Sequence, residues 1–415
     1  MNPTYKSILR QISSLLLFWK NARWDRFDWI SPLCMTVLGV FSVMYIYSSQ
    51  VYNGGNLWLK QLIWIALGWA VYFLISSINY KKWMGFAHLF YILVIGLLLI
   101  VITPLGTEIY NARRWINIGP FSIQPSEIAK ISTFILVARI LSKHHFHSLI
   151  DSITALALVL IITLIPTLII FIQPDLGSAL IIPIMTFFVL YSAGFHKRFF
   201  AISLAAILLV ISIVGFDLYR YEQFLKNNNL TALENRNEYR EHSWVPLSDG
   251  QRNRLLTFIA PDRIDPQGLG VSWNVRQSRI SVGTGGWDGK GWTKGTQAKL
   301  GYLPQTVAYN DFIFSVIAEE SGFIGAVTVL LLFTVLMFNG IRIAHIANDR
   351  FGQILAIGVS VFLFIHVFVN VGMTMGITPV TGLPLPFLSQ GGTFLLSCYT
   401  LLAIHQSIYR YREKI

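Results

Sequence analysis

Residues 153–172 read ITALALVLIITLIPTLIIFI, a run of 20 positions without a charged side chain. About 20 apolar residues are enough for a helix to cross a bilayer. Nine other apolar runs have a similar length, so the chain is predicted to be an all-α polytopic integral membrane protein with about ten transmembrane helices. The ten runs lie near residues 30–48, 57–77, 83–104, 126–141, 150–171, 175–194, 199–217, 312–341, 352–376 and 387–409.

Lysine and arginine residues follow these runs in an alternating pattern. If the N-terminus is cytoplasmic, 16 of them lie in the N-terminal segment, the even-numbered connections and the C-terminal tail. The short odd-numbered connections hold only Arg113 and Arg114. Because basic residues are enriched in cytoplasmic loops, the asymmetry predicts that both termini are cytoplasmic.

This orientation divides the chain into five segments. Long translocated loops largely escape the charge rule, so the basic residues of the longest connection do not oppose an extracellular position. Residues 1–29 carry no cleavable signal pattern, and the first run is expected to act as an uncleaved signal. The segments are a cytoplasmic N-terminal segment (1–29), helices 1–7 (30–217), a large extracellular loop (218–310), helices 8–10 (311–409) and a cytoplasmic tail (410–415).

Composition excludes several classes of protein. With 54% hydrophobic and 13% charged residues and a mean hydropathy of +0.57, the chain is too apolar for a water-soluble globule. The net charge of +12 is explained by anionic membrane lipids rather than by nucleic acid. Cys34 and Cys398 lie inside predicted spans, which implies neither a disulfide framework nor a thiolate metal site. His88 and His366 are interpreted as packed histidines, since no metal-ligand spacing is visible.

The third connection carries a basic and aromatic cluster, Arg113-Arg114-Trp115, and leads through Gln124 and Pro125 into a helix. Ser126 is the predicted N-cap of that helix. Lys130 follows at membrane depth, where a lysine costs roughly 2.5–3.5 kcal/mol and needs a polar partner. Asp175 is the predicted partner. The two residues form either a structural ion pair or part of a cavity for a charged head group.

A glycine-rich stretch, GVSWNVRQSRISVGTGGWDGKGWTKGTQ, occupies residues 270–297. It is not a Walker loop, because Gly291 follows Gly289-Lys290 where that motif requires Ser or Thr. Two interpretations are open. The glycines either build compact turns, or their amides, with Lys290, Lys294 and Arg279 nearby, hold a pyrophosphate.

Asp311 directly precedes the eighth apolar run. Spacing alone favours an N-cap, which is worth about 1 kcal/mol. The alternative is a general base for a lipid-linked substrate at the extracellular membrane boundary. Glu319 and Glu320 lie two turns further on, within one helical turn, so at most one of them is expected to face a given cavity.

Proline and glycine recur between the ninth and tenth runs, in PVTGLPLPFLSQGG (379–392). Such a density breaks helices at membrane depth, which is tolerated where irregular backbone is buried or lines a cavity. The segment, which includes Ser389, therefore predicts a polar groove that opens to the outside.

The order of these motifs resembles that of the SEDS family (shape, elongation, division and sporulation) of peptidoglycan polymerases. Within the family, GKGWTKGTQ is similar to the RodA branch of cell elongation rather than to the FtsW branch of division. The stretches that carry the resemblance are ARRWINIGPFSIQPSEIAK (112–130), QPDLGSAL (173–180), DPQGLG…QSRISVGTGGWDGKGWTKGTQ (265–297), NDFIFSVIAEESGFIG (310–325), NVGM (370–373) and PVTGLPLPFLSQGG (379–392).

The resemblance implies a SEDS fold of ten helices in the bacterial cytoplasmic (inner) membrane and a glycosyltransferase that polymerises lipid II. The acidic residue proposed as catalytic base in the family falls on Asp311. It would deprotonate the 4-hydroxyl of N-acetylglucosamine as that oxygen attacks an undecaprenyl-pyrophosphate-linked glycan. Further family positions fall on Trp115, Gln124, Lys130 and Asp175. A class B penicillin-binding protein is the implied partner for transpeptidation.

The predicted site therefore consists of Asp311 as catalytic residue and a set of substrate-binding residues. No cofactor is evident, and the sequence does not indicate a divalent cation. A lipid II flippase or transporter and a non-catalytic cell-wall scaffold are the alternative functions. The predicted substrate-binding residues are Arg113, Arg114, Trp115, Gln124, Lys130, Asp175, Gln277, Ser278, Lys290, Lys294, Glu319 and Ser389.

Overall fold

The computed structural model describes residues 24–109, 112–119, 121–144, 149–228, 230, 238–265 and 267–412. Most of the predicted N-terminal segment and the end of the predicted tail lie outside these ranges. A long helix occupies each of the ten apolar runs. The helices are α1 (Ile30–Gln50), α2 (Leu57–Ser76), α3 (Lys81–Ile102), α4 (Pro125–Lys143), α5 (Leu149–Ile172), α6 (Leu176–Ser192), α7 (Lys197–Asn227), α13 (Ile313–His345), α14 (Arg350–Met375) and α15 (Gly392–Arg410).

Within the described residues, seven of these helices are long and apolar enough to cross a membrane: α1, α2, α3, α5, α7, α13 and α14. Helix α6 is apolar but has only 17 residues. Helix α4 carries Glu127, Lys130 and Arg139 along its length. These charges lower its hydropathy, yet most of the helix is buried among its neighbours. Burial inside the helix bundle lets a helix of this composition lie among apolar ones.

The buried core forms around α13 and α14, which pack along each other. Helix α1 packs on α13, α2 runs along α15, and α4 contacts α3, α5, α6 and α14. Helix α7 differs, because the apolar window that would cross the membrane is not buried by the rest of the chain. Helix α7 also continues ten residues beyond the predicted end of its span, to Asn227.

A small antiparallel sheet follows α3, with strand order β1 (Thr107–Ile109), β2 (Ala112–Ile118) and β3 (Phe121–Ile123). The all-helical prediction missed it. Its strands are only three to seven residues long, and Gly119, at a φ of 59°, turns the chain between β2 and β3. Strand β2 carries Arg113-Arg114-Trp115 and leads through β3 into α4.

The described residues of the long connection between α7 and α13 form five short α-helices and one 3-10 helix (Tyr239–His242). A separate cluster of buried side chains anchors the connection to the end of α7. Arg252 is fully buried there and forms ion pairs with Asp217 (2.8 Å) and Asp249 (2.9 Å). Leu218, Tyr221 and Leu256 belong to one buried hydrophobic cluster between α7 and this connection. The helices are α8 (Asp249–Ile259), α9 (Pro261–Ile264), α10 (Trp273–Thr284), α11 (Thr296–Lys299) and α12 (Gln305–Ala308).

The glycine-rich stretch after α10 inserts into a break in α13. Gly322 leaves the helical conformation there, with φ 64° and ψ −162°. A helix break orphans backbone groups, and the inserted loop satisfies them: the amides of Lys290 and Gly291 donate to the carbonyls of Glu319 (3.0 Å) and Glu320 (2.9 Å). The two segments lie so close that a Cβ atom at Gly289 would be 2.1 Å from the Glu320 carbonyl oxygen.

These contacts support the architectural interpretation of the glycines. The amides of residues 290 and 291 already bind helix carbonyls, so they do not point at a ligand. In return, the amides of Phe323 and Ile324 donate to the carbonyls of Gly286 (2.8 Å) and Trp287 (3.2 Å). Small residues are required because the loop backbone packs directly on the helix backbone.

Candidate active site

Asp311 lies just outside the first turn of α13, and it does not cap the helix. The N-cap is Phe312, without a side-chain cap bond. Among the described residues, no group donates a hydrogen bond to the Asp311 carboxylate. The N-cap interpretation that spacing favoured is therefore wrong, because the chain turns into the helix one residue too late for the Asp311 side chain to reach the first amides.

The proline- and glycine-rich segment before α15 surrounds the Asp311 backbone. Asn370 of α14 donates from Nδ2 to the carbonyls of Asp311 (2.9 Å) and Leu383 (2.7 Å). Ser389 donates from Oγ to the carbonyl of Asn310 (2.6 Å). These two buried side chains hold the start of α13 and the broken segment together. The structure thus gives Ser389 a positioning contact beside Asp311.

The electrostatic environment shifts Asp311 towards neutrality. Desolvation by the surrounding protein raises the pKa of its carboxyl to about 6. The charge of Arg254 opposes this increase, whereas the charge of Asp175 adds to the increase in the Asp311 pKa. A carboxyl with a pKa close to the working pH is suited to general-base chemistry.

Asp175 lies on the other wall of the same region and is the centre of a second group. It caps α6 by accepting from the amide of Ser178 (3.2 Å), and it accepts from Nε2 of Gln124 (3.1 Å). Arg114 lies 4.0 Å from the Asp175 carboxylate and donates from Nε to the Gln173 carbonyl (3.1 Å). The structure therefore brings three predicted site residues together.

The broken segment connects these two groups. At Gly177, in the first turn of α6, a Cβ atom would lie 2.7 Å from the Thr381 carbonyl oxygen. At Gly382, a Cβ atom would lie 3.7 Å from Oδ2 of Asp311. Residues 381–382 thus pack between Asp175 and Asp311, in the polar region that the density of proline and glycine predicted.

The predicted Lys130–Asp175 ion pair is wrong. Lys130 binds Glu127 instead, at 2.8 Å, and both side chains are almost fully buried. The two residues are three apart on α4, so they lie on one face and pair without any tertiary contact. The rings of Phe362 and Phe394 complete the surroundings, with centroids 5.9 and 5.7 Å from the ammonium nitrogen.

The N-cap prediction for Ser126 is also wrong. Gln124 is the N-cap of α4 and Pro125 the first helical residue, a position that proline favours. The Ser126 hydroxyl is buried and makes no hydrogen bond within the described residues.

The other predicted site residues of β2 lie towards the surface. Trp115 is half-buried on β2, and Arg113 forms an exposed ion pair with Glu108 (3.1 Å).

Glu319 and Glu320 both face the inserted loop, against the expectation that only one could enter a given cavity. Glu319 accepts from the Thr296 amide (2.8 Å) and from Nζ of Lys290 (2.6 Å). Glu320 accepts from the Thr293 amide (3.2 Å) and the Ser48 hydroxyl. The loop wraps around the helix break and so reaches both carboxylates. Lys290 is neutralised by this contact, whereas Lys294 is exposed.

Gln277 and Ser278 are buried on α10. The Ser278 hydroxyl lies 2.6 Å from that of Ser315 and donates to the Thr374 carbonyl (2.8 Å). These bonds fasten α10 to α13 and α14. Ser278 therefore forms a structural link between these helices.

Sequence reasoning missed Asn370 and Glu127 as members of the site. The available signal for Asn370 was an isolated polar residue within an apolar helix, which is costly unless it has a partner. The signal for Glu127 was its spacing of three residues from Lys130, which places both side chains on one helix face. His366 is packed as predicted, with Nδ1 3.2 Å from the Pro384 carbonyl oxygen and its ring beside Phe362 and Phe394.

An apolar cavity of about 540 Å³ lies between α2, α3, α4 and α15. Trp64, Ile128, Ile131 and Leu396 are among the residues that line it. Its rim includes Thr393, whose hydroxyl accepts from the Gln124 amide (3.2 Å). The cavity therefore begins beside the polar group around Asp175.

The fold and the site together define a multi-pass, mostly helical membrane protein whose polar site residues gather beside a broken, proline- and glycine-rich segment. The family model of the FtsW, RodA and SpoVE cell cycle proteins matches residues 26–414. The chain therefore belongs to this family.

Curated relatives cover nearly the full length of the chain. It is 33% identical over 398 residues to "Peptidoglycan glycosyltransferase MrdB" of Escherichia coli strain K12, covering 95% of this chain and 97% of that protein. It is 30% identical over 433 residues to "Peptidoglycan glycosyltransferase RodA" of Treponema pallidum, covering 92% and 97%.

Solved structures share the fold. One is a chain from "Structural coordination of polymerization and crosslinking by a peptidoglycan synthase complex", with a TM-score of 0.71, 25% identity, and coverage of 94% of this chain and 100% of that one. Another is the Thermus thermophilus Rod shape determining protein RodA, with a TM-score of 0.64, 23% identity, and coverage of 94% and 99%.

Proposed function

We propose that this chain is a peptidoglycan glycosyltransferase that polymerises lipid II into glycan strands for cell-wall elongation and rod shape, with Asp311 as its general base. The observation that supports this role is the environment of the Asp311 carboxyl. The carboxyl caps no helix, and desolvation raises its pKa to about 6. Its position beside the broken segment, opposite Asp175, leaves it available for a substrate proton.

In the proposed step, the 4-hydroxyl oxygen of N-acetylglucosamine on lipid II attacks the anomeric carbon of an undecaprenyl-pyrophosphate-linked glycan. A new glycosidic C–O bond forms, the C–O bond to the pyrophosphate breaks, and the hydroxyl proton passes to Asp311. General-base assistance contributes about 10²–10⁴-fold. The electron pair leaves on the pyrophosphate, and the step uses no cofactor.

The lipid part of the substrate needs apolar surface beside this polar cleft. The 540 Å³ cavity between α2, α3, α4 and α15 supplies it. Its rim at Thr393 contacts Gln124, which in turn binds Asp175. We infer that an undecaprenyl chain lies in this cavity with its head group towards Asp175.

The proposed location is the bacterial cytoplasmic membrane, with both termini cytoplasmic and residues 218–310 outside. The asymmetry of lysine and arginine supports this orientation. The proposed reaction supports the same orientation. Glycan strands are assembled on the outer side of the cytoplasmic membrane, and this orientation places Asp311 on that side.

A class B penicillin-binding protein is the proposed partner. The solved relative comes from a complex described as coordinating polymerization and crosslinking. We expect the purified chain to make uncrosslinked glycan and to gain activity with its partner. Peptide crosslinks made by this chain alone would contradict the division of labour.

The deciding experiment reconstitutes the purified protein in liposomes with lipid II and measures glycan length and lipid translocation together. A polymerase yields glycan strands. A flippase or transporter would move lipid II without forming glycan, and a non-catalytic scaffold would do neither. Either of those outcomes contradicts the proposed activity.

A further inference from the structure

A second cavity, of about 260 Å³, lies next to the Asp311 region and is strongly basic. Its walls come from α8, α9, α10 and the segment that follows α14. Arg254, Arg276 and Arg279 line it against a single acidic residue, Asp262. Three arginines against one aspartate leave an excess of two positive charges.

Two of these arginines lack an acidic partner. Arg276 forms an ion pair with Asp262 at 2.8 Å. In the part of the chain that the structure describes, neither Arg254 nor Arg279 has a carboxylate within ion-pair distance. Unpaired guanidinium groups around one concave site favour an anion that offers several oxygen atoms.

Buried contacts fix the two helices that carry these arginines, whose own side chains are exposed. Arg252, one half-turn from Arg254 on α8, is fully buried between Asp217 and Asp249. Ser278, the neighbour of Arg279 on α10, is fully buried against Ser315. Each cavity arginine therefore projects from a helix that is fixed to the rest of the protein.

The cavity adjoins the proposed catalytic carboxylate. Gly376, Thr378 and Val380 line the cavity, and Gly382 of the same segment faces Asp311. Arg254 is also close enough for its charge to lower the pKa of Asp311. Residues 376–382 thus run from the lining of the basic cavity to the side chain of Asp311.

We propose that this cavity is the subsite for the pyrophosphate of the glycan donor, with Arg254 and Arg279 as its ligands. The inference rests on the proposed polymerase function and deepens it. A pyrophosphate that links two organic groups carries one negative charge on each phosphate, which matches the charge excess. The donor is favoured because its pyrophosphate is bonded to the attacked carbon, whereas that of lipid II is two sugar rings from the reacting hydroxyl.

Three of the basic residues that the sequence placed in the site are engaged elsewhere, whereas Lys294 is exposed and Arg279 lines the basic cavity. Lys290 binds Glu319 and Arg113 binds Glu108. Arg114 donates to the carbonyls of Gln173 and Pro174. The basic cavity is therefore the better placed anion site, since its two unpaired arginines lose no internal ion pair when an anion binds.

The test measures binding of inorganic pyrophosphate to the full-length protein in detergent by calorimetry, without lipid II. We expect the wild type to bind it, and Arg254→Gln and Arg279→Gln each to weaken binding by about tenfold or more, as expected for a lost charge-assisted contact. Arg263→Gln is the matched control, because this exposed arginine lies on α9 outside the cavity. Unfolding curves like that of the wild type confirm that the variants fold.

Polymerisation kinetics provide the second readout. Loss of leaving-group stabilisation lowers kcat, by about 10²-fold, with a smaller change in the KM for lipid II. Pyrophosphate binding equal to the wild type in both cavity variants would overturn the subsite. So would equal displacement of pyrophosphate by phosphatidylglycerol, which would make the cavity a site for lipid head groups.

The two proposals fail in different ways. If both cavity variants make glycan at the wild-type rate, the subsite is wrong and the polymerase function is supported. If the wild type binds pyrophosphate through these arginines but makes no glycan, the subsite is supported and the polymerase function fails.

Discussion

Asp175 and Asp311 illustrate how neighbours decide the role of a carboxylate. Both stand directly before a helix in the sequence, yet only Asp175 caps one, by binding the Ser178 amide. Asp175 also accepts from Gln124 and lies near Arg114, so its charge is compensated. No group among the described residues donates to the Asp311 carboxylate in this way, and desolvation raises the pKa of its carboxyl.

Asp311→Asn should abolish glycan synthesis while leaving the fold intact. The amide cannot accept the substrate proton, so the rate should fall by at least about 10²-fold. Because the Asp311 side chain caps no helix, thermal unfolding should change little. Near-normal polymerisation by the folded variant would remove Asp311 as the general base.

The pH profile should report the same carboxyl. Asp311 acts as a base only when ionised, and burial raises its pKa to about 6. The value of kcat/KM should therefore fall about tenfold per pH unit below about pH 6. Arg254 lowers the pKa of Asp311, so Arg254→Gln should move the acidic limb to higher pH. A wild-type limb near the ordinary pKa of aspartate would contradict this assignment.

Glu127→Gln should destabilise the protein through Lys130. The substitution leaves a buried ammonium group without its carboxylate, which costs about 3–5 kcal/mol. The measurement is thermal unfolding in detergent. Replacing both residues, as Glu127→Gln with Lys130→Met, should recover much of the stability. The predicted Lys130–Asp175 pair would have left Lys130 unpaired in Asp175→Asn. This substitution should instead have the smaller effect, since asparagine caps a helix about as well as aspartate.

At the scale of elements, the break in α13 explains the composition of the preceding loop. Glu319 and Glu320 offer both their carbonyls and their carboxylates to residues 290–297. The loop can reach these groups only if its backbone approaches the helix closely. Glycine is therefore required by packing, and not by a ligand.

Gly289→Ala should test this packing directly. Gly289 has a φ of 78°, and its added Cβ would lie 2.1 Å from the Glu320 carbonyl oxygen. Gly286→Ala is the matched control, with a φ of 60° but open space around the added Cβ. Backbone strain alone costs about 1–2 kcal/mol, so Gly289→Ala should lower the unfolding free energy by clearly more. Equal effects of the two substitutions would contradict the packing argument.

At the scale of the whole molecule, the helices differ in how much of their surface the protein covers. Helix α14 is mostly buried, whereas the apolar window of α7 is uncovered. The end of α7 is nevertheless fixed to the connection that follows, through Asp217 and Arg252. Helix α7 therefore connects the membrane region to α8, one of the helices that line the basic cavity.

The orientation in the membrane can be tested by cysteine labelling with an impermeant reagent in intact cells. Trp244 in the long connection is 98% exposed, and Lys143 at the end of α4 is exposed on the opposite side of the predicted topology. The native Cys34 and Cys398 are buried. Trp244→Cys should be labelled and Lys143→Cys should not. The reverse pattern would overturn the proposed orientation.

The sequence by itself determined the positions of the ten helices. The length of an apolar run is a local property of the sequence, and it decides whether a helix can span the bilayer. It also determined the candidate residues Asp311, Gln124 and Asp175, through the family motifs. Tertiary structure alone decided which charged side chains pair with each other. Lys130 binds Glu127 rather than Asp175, and Lys290 binds Glu319. The unpaired arginines of the basic cavity come from separate helices of one long connection. A charged side chain pairs with the oppositely charged or polar group that lies nearest to it in three dimensions. The packing of helices and inserted loops sets the distance between the two groups.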